Sequence, residues 1–295
     1  MSSLGKPAEK QRLVTAAARE LGEELRRERA RAGLSATFVS DTLEWSLAKL
    51  SKLECGWRGT DEWDVGTLLG IYGASRSVRD RILKLVRAQG DEWLVRDRTG
   101  GRPDELLCWR VHEALALRID YYEPLAIPLF LRTDQYARGL SNDAARSCDP
   151  VELPMNSDLT DFRTRVGSAG PEVSAFINEA VLRLVVVESA VMHDQLMHLA
   201  FQCDLGDVHL RIVPLSAGID GVLRHAGALM SLPEPSKQLA CMETDAVTVF
   251  SEQDRAVEVL RRKFSSLDGL ALGPAESREV FDHWADVYDE GKLVP

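Results

Sequence analysis

The chain has 295 residues, 45% hydrophobic and 28% charged, which suits a globular protein of two domains. It holds no run of about 18 apolar residues, and its first ten residues, MSSLGKPAEK, lack an apolar signal-peptide core, so a cytoplasmic protein away from membranes is expected. The net charge of −10 argues at first against nucleic acid, yet it is uneven: residues 1–60 hold 11 Lys and Arg against 8 Asp and Glu, and the remainder 25 against 38. A mildly basic head on an acidic body follows.

The polar, proline-containing residues 1–11 predict a frayed start. From Arg12 to Ala32, Leu13, Ala17, Leu21 and Leu25 recur every four residues between charges, the mark of an amphipathic helix. Gly33 breaks it, and Ser35 is a good N-cap for a second helix carrying Phe38, Val39 and Leu43. Ser46 caps a third, over about 46–54, with Leu50 and Leu53 inward and Gly56 at its end. Asp61 or Asp64 opens a fourth, bearing Val65, Leu68, Leu69 and Tyr72, and a fifth runs from about Val78 to Gln89. Residues 97–104, DRTGGRPD, read as a linker. The expected division is therefore a helical domain over 12–96 and a second domain over 105–295.

After the linker, Trp109–Tyr122 reads as one amphipathic helix, another starts at Asp134, and residues 144–157, with two prolines, read as a loop. Short apolar runs follow at Val173–Asn178, Val208–Pro214, Ala226–Leu232, Leu239–Glu243 and Ala246–Phe250, each bounded by Gly, Pro or Asp, which suits strands. Pro233–Lys237 looks like a hairpin connection. Helical patterns occupy Ala190–Gln202, Glu252–Leu267 and Pro274–Glu290, and Ser251 with Asp254 resembles a capping box. The fold class expected is mainly α, then α+β: a five-helix head and a body of short antiparallel strands and helices.

Little in the sequence suggests catalysis or a cofactor. Cys55, Cys108, Cys148, Cys203 and Cys241 are scattered singly, which argues against a disulfide framework or a structural zinc site. His193 and His198 are five apart and do not share a helical face as an HExxH pair would. No GxSxG, Walker loop or GxGxxG occurs. We expect no enzyme, no cofactor and no metal.

The informative stretch joins Leu21-Gly-Glu-Glu-Leu-Arg-Arg-Glu-Arg29, Gly33-Leu-Ser35, Trp45-Ser-Leu-Ala-Lys-Leu-Ser-Lys-Leu-Glu54 and Gly56. Two short helices crossing about a tight turn are what a helix-turn-helix requires. These residues resemble the XRE class of regulators, the Cro and phage-repressor type, over nearly all of 20–73. The resemblance implies a sequence-specific DNA-binding transcriptional regulator. It implies that Ser46 caps the recognition helix, that Leu47, Ala48 and Lys49 face base edges, that Lys52 reaches a phosphate or a guanine, and that Ser35, Thr37 and Arg58 anchor the backbone. It also implies an ion pair between Arg29 and Glu54 tying the first helix to the recognition helix. Two departures stand out: Glu44 occupies the turn where the class has Gly, and Ala36 stands where it often has Gln.

In the body, Pro128-Leu-Phe-Leu-Arg-Thr133 with Tyr136-Ala137 is similar to the Pro-Gly-Leu-Leu-Gln-Thr…Tyr-Ala signature of a large actinobacterial domain of unknown function, which follows such a head in WhiJ-like regulators. Glu179-Ala-Val-Leu182, Gln195-Leu196 with Leu199, Arg211-Ile-Val-Pro214, Gly227 and Glu276-Ser277 extend the resemblance. Leu129 and Arg132 depart from it. The implied role is regulatory: control of DNA binding through the C-terminal domain, or an antitoxin-like module that binds a small partner protein, or a sensor for a small-molecule effector. Arg132 and Tyr136, one helical turn apart, are candidates for a site taking an acidic group from a ligand or partner; packing of Tyr136 in the core is the alternative. Near-palindromic operators go with two-fold proteins, so a homodimer joined through the body is expected.

Overall fold

A computed structural model describes residues 15–56, 60–97, 104–144, 170–206, 208–218, 221–233, 238–244 and 246–291. The expected loop at 144–157, the Pro233–Lys237 connection beyond Pro233, Cys148 and Arg58 lie outside them. The chain divides into two compact units, with the boundary between Leu94 and Val95 falling inside Trp93–Asp97, a strand of the second unit's sheet. No helix among the described residues is long and apolar enough to cross a membrane.

The first unit is built from five helices: α1 Ala16–Arg31, α2 Ala36–Leu43, α3 Leu47–Glu54, α4 Glu62–Ile71 and α5 Arg76–Ala88. Leu21, Leu25, Val39, Leu50, Val65, Leu68, Leu69 and Ile82 are essentially inaccessible, so every helix contributes its apolar stripe to the interior. The approach of α1 to the end of α3 is close enough to involve backbone. A Cβ on Gly22 would lie 2.6 Å from the Glu54 carbonyl oxygen, and one on Gly56, whose φ is +69°, would lie 2.0 Å from that of Ala18. Only glycine fits that contact, and at Gly56 only glycine adopts the left-handed backbone without strain.

The second unit is a mixed sheet with helices on both faces. Its strands are β1 Trp93–Asp97, β2 Arg118–Glu123, β3 Glu172–Asn178, β4 Val208–Val213, β5 Gly227–Ser231, β6 Gln238–Glu243 and β7 Val247–Ser251, in the order β1-β7-β6-β5-β2-β3-β4. The helices are α6 Asp104–Leu115, α7 Asp134–Ala144, α8 Ala180–Arg183, α9 Ser189–Leu205, α10 Asp254–Leu270 and α11 Pro274–Asp289. Alternate residues of one strand face opposite layers. Val173, Ala175 and Ile177 pack with Leu196 and Leu199 of α9 and Phe281 and Ala285 of α11, while Phe176 faces Val257, Leu260 and Phe264 of α10.

A helical head followed by a body of strands and helices is the architecture present, with finer corrections. The pairs β2–β5, β5–β6 and β6–β7 are antiparallel, but β2 pairs with β3, and β3 with β4, in parallel. Parallel strands are covered on both faces, which α9, α10 and α11 provide. The single helix expected over Trp109–Tyr122 is two elements. Leu117 donates its N–H to Ser231 O at 2.8 Å and accepts from Glu172 N at 3.0 Å, so the backbone leaves the helix for the sheet, and β2 becomes an interior strand between β5 and β3. The strand β1 was not read from the sequence. No capping box forms at Ser251: its Oγ accepts from Gln253 N at 3.2 Å, and α10 begins at Asp254 without a side-chain cap.

Candidate nucleic-acid interface

The residues singled out in the head converge on α2, the turn after it and α3. Ser35 caps α2, its Oγ accepting from Phe38 N at 3.1 Å. The helix ends at Glu44, which holds φ 54° and ψ 34° and is the one non-glycine residue with positive φ among the described residues. The left-handed turn therefore forms with glutamate where glycine would be easiest, and the bond from Trp45 N to Ser40 O at 2.9 Å closes it. Ser46 then caps α3, its Oγ accepting from Lys49 N at 3.1 Å. Thr37, Leu47, Ala48 and Lys52 are exposed.

Lys49 lies differently. Its ammonium donates to Asp64 Oδ1 at 2.8 Å and sits 3.7 Å from the centre of the Trp45 ring, so its charge is engaged from α4 and from the turn. Sequence reasoning missed both partners. Asp64 is fifteen residues away, and nothing in the local pattern links it to α3.

Arg29 and Glu54 lie together. Arg29 Nε donates to Glu54 Oε1 at 2.6 Å and Nη2 to Oε2 at 2.9 Å, the two-pronged geometry of a guanidinium on a carboxylate. Arg29 Nη1 also donates to Leu34 O at 2.9 Å, and Arg26 Nη2 to Glu54 O at 3.1 Å. One cluster of charge-assisted bonds thus ties the end of α1 to the approach to α2 and the end of α3. With side chains only 17% and 7% exposed, water screens the pair weakly. The hydrogen bond to Glu54 raises the Arg29 pKa. Burial, then the nearby Glu54 charge, raises that of Tyr72.

In the body, Tyr136 is 1% exposed and packs among the core side chains. Arg132 Nε donates to Ile127 O at 2.7 Å, and burial lowers its pKa. The other residues carrying the body's resemblance hold the fold together. Gln195 bonds both Thr133 N and Leu131 O. Arg211 reaches Leu272 O at 2.8 Å, Ala271 O at 2.8 Å and the Asp268 carboxylate. Ser277 Oγ accepts from Ile212 N at 3.0 Å, and Glu276 caps the start of α11 through Gly273 N at 2.8 Å. His193 bonds Ala285 O. No group of three His, Cys, Asp or Glu side chains among the described residues is placed to hold a metal ion.

The fold and this geometry define a helix-turn-helix protein, and residues 20–82 match the family profile described as a helix-turn-helix domain. Residues 109–283 match the domain of unknown function DUF5753. That match covers more than half of the chain, which belongs to this family. No curated protein matches the sequence. Among solved structures, the chain is similar to one titled as showing a novel mode of DNA binding by TrmBL2, an archaeal chromatin protein. The identity is 11% and the TM-score 0.31, over 80% of this chain and 68% of that one, too slight a likeness to inform fold or function.

Proposed function

We propose that the protein is a cytoplasmic, non-enzymatic transcriptional regulator that binds double-stranded DNA by placing α3 in the major groove. Residues 12–96 would form the reading domain. Residues 105–295 would control it and join two copies into a homodimer, the body being the place where a small partner protein or small-molecule effector acts. The observation that carries this reading is the exposed start of α3, capped by Ser46 and held at a set angle by the Arg29–Glu54 clamp. Around it, Leu47 and Ala48 face outward for base edges, Lys52 for the backbone or a guanine, and Ser35 and Thr37 for phosphates, with Lys49 at the margin; Arg58, outside the described residues, would add a further phosphate contact.

The test is selection of DNA from a random-sequence duplex pool by the full chain. Enrichment of a defined sequence is expected, and Leu47→Glu abolishes it without lowering the melting temperature, because Leu47 is 53% exposed. Enrichment that survives Leu47→Glu would remove α3 from the interface. Failure of the wild-type chain to enrich any sequence would remove the function.

A further inference from the structure

The start of α3 offers base edges an almost wholly apolar surface. Leu47 is 53% exposed and Ala48 is exposed beside it, and neither carries a hydrogen-bonding group. Ser46, just before the helix, turns an Oγ lone pair inward to accept from Lys49 N at 3.1 Å, which leaves its O–H as the one polar group beside that tip. The nearest cation, Lys49, has its ammonium 2.8 Å from Asp64 Oδ1 and stacked 3.7 Å from the Trp45 ring centre. In the major groove, the apolar group that a base edge displays is the thymine C5-methyl, whereas a guanine edge asks for a donor.

We propose that this helix reads thymine methyls through Leu47 and Ala48, and that Asp64 withholds Lys49 from guanine. Lys49 is then a positioning residue. This rests on the reading of α3 as a DNA-binding helix.

Bringing DNA near does not free Lys49 without cost. Were its ammonium to leave for the groove, the Asp64 carboxylate would stand uncompensated beside α3 and face the phosphates, and like charges repel strongly where water is partly excluded. Kept together, the pair leaves Asp64 compensated as DNA approaches, with Trp45 holding the ammonium from its other side through a cation–π contact. The helix therefore keeps an apolar, methyl-seeking tip, although its sequence contains a lysine at its third position.

Two measurements test this on a duplex selected from a random pool by the wild-type full chain. First, deoxyuridine replaces each thymine in turn, removing only the methyl. Affinity is expected to fall about fourfold for each methyl that Leu47 or Ala48 covers, the worth of one buried methylene. Second, Lys49→Met is expected to weaken binding evenly across single-base variants of the site, because it bares Asp64. Lys49→Met combined with Asp64→Asn is expected to return affinity to within about twofold of wild type with base preference unchanged, since the two residues act as one unit. A site indifferent to deoxyuridine overturns the proposal. So does a Lys49→Met protein that loses preference at one base pair and is not rescued by Asp64→Asn; either leaves DNA binding intact. If the wild-type chain selects no duplex, DNA binding falls and this reading with it.

Discussion

Every helix of the head, α1 to α5, starts at a side chain that accepts a hydrogen bond from its own first turn: Thr15, Ser35, Ser46, Asp61 and Ser75. In the body the pattern is mixed: Thr133 Oγ1 accepts from Tyr136 N at the start of α7 and Asn178 Oδ1 from Ala180 N at the start of α8, while α9 and α10 start without a side-chain cap. The head also buries charge. Glu24, with a fully buried side chain, is paired at 2.9 Å with Arg27 and at 2.8 Å with Arg81. Burial nevertheless outweighs both partners and raises its pKa. The body instead rests on large apolar clusters on the two faces of its sheet. A small helical unit has limited apolar area to bury. Local caps and directed ion pairs then set helix ends and angles that a larger core would set by packing.

The largest effect expected from this contrast is in the head. Glu54→Ala strands the Arg29 guanidinium and should lower stability by about 3–5 kcal/mol in urea unfolding. Replacing the pair together, with Arg29→Met and Glu54→Leu, should fall within about 1 kcal/mol of wild type, because burying two charges costs nearly what their attraction returns. If Glu54→Ala cost no more than a surface change, about 0.5 kcal/mol, the clamp would not be what sets the angle of α3.

A smaller effect sharpens the comparison from the body's side, where one cation is buried against the sheet. Lys263 of α10 is 8% exposed. Its ammonium donates to Val222 O and, at 2.6 Å, to His225 O, and lies 4.7 Å from the centre of the Tyr122 ring. Burial lowers its pKa from 10.5 to about 8. Below about pH 8 folded and unfolded chains both hold the proton, so the full cost of burying the charge is present there. Between about 8 and 10.5 the unfolded chain still binds a proton that the folded chain has released, so stability rises with pH across that window. The gain is roughly 2–3 kcal/mol. Unfolding measured from pH 7 to 10.5 should show the rise, and Lys263→Met should remove that part of it. An identical slope in the variant would mean that Lys263 does not feel the sheet around it.

The smallest effect concerns the caps. Ser46→Ala should cost about 1 kcal/mol, whereas Glu188→Ala, at the uncapped start of α9, should stay within about 0.5 kcal/mol. Equal losses in thermal unfolding would erase the distinction between the two regions.

The sequence by itself determined the head: its caps and its spacing of Leu21, Leu25, Leu50 and Leu53 are local signals, complete within one helix and the turn before it. The positions of β3 to β7 in the body were legible for the same reason, because Gly, Pro and Asp bound each of those apolar runs. Strand order was not. Residues 118–123 carry a pattern that fits a helix continued from Trp109, and only pairing with β5 and β3, more than fifty residues away in sequence, turns them into an interior strand. The same limit applies at the interface. That Ser46 starts a helix is written beside it, but that Asp64 takes the charge of Lys49 depends on how α4 packs beside α3. Hydrogen bonds within a helix turn need only neighbours in the chain, whereas sheet pairing and the partner of a charged side chain depend on which distant segments the folded chain brings together.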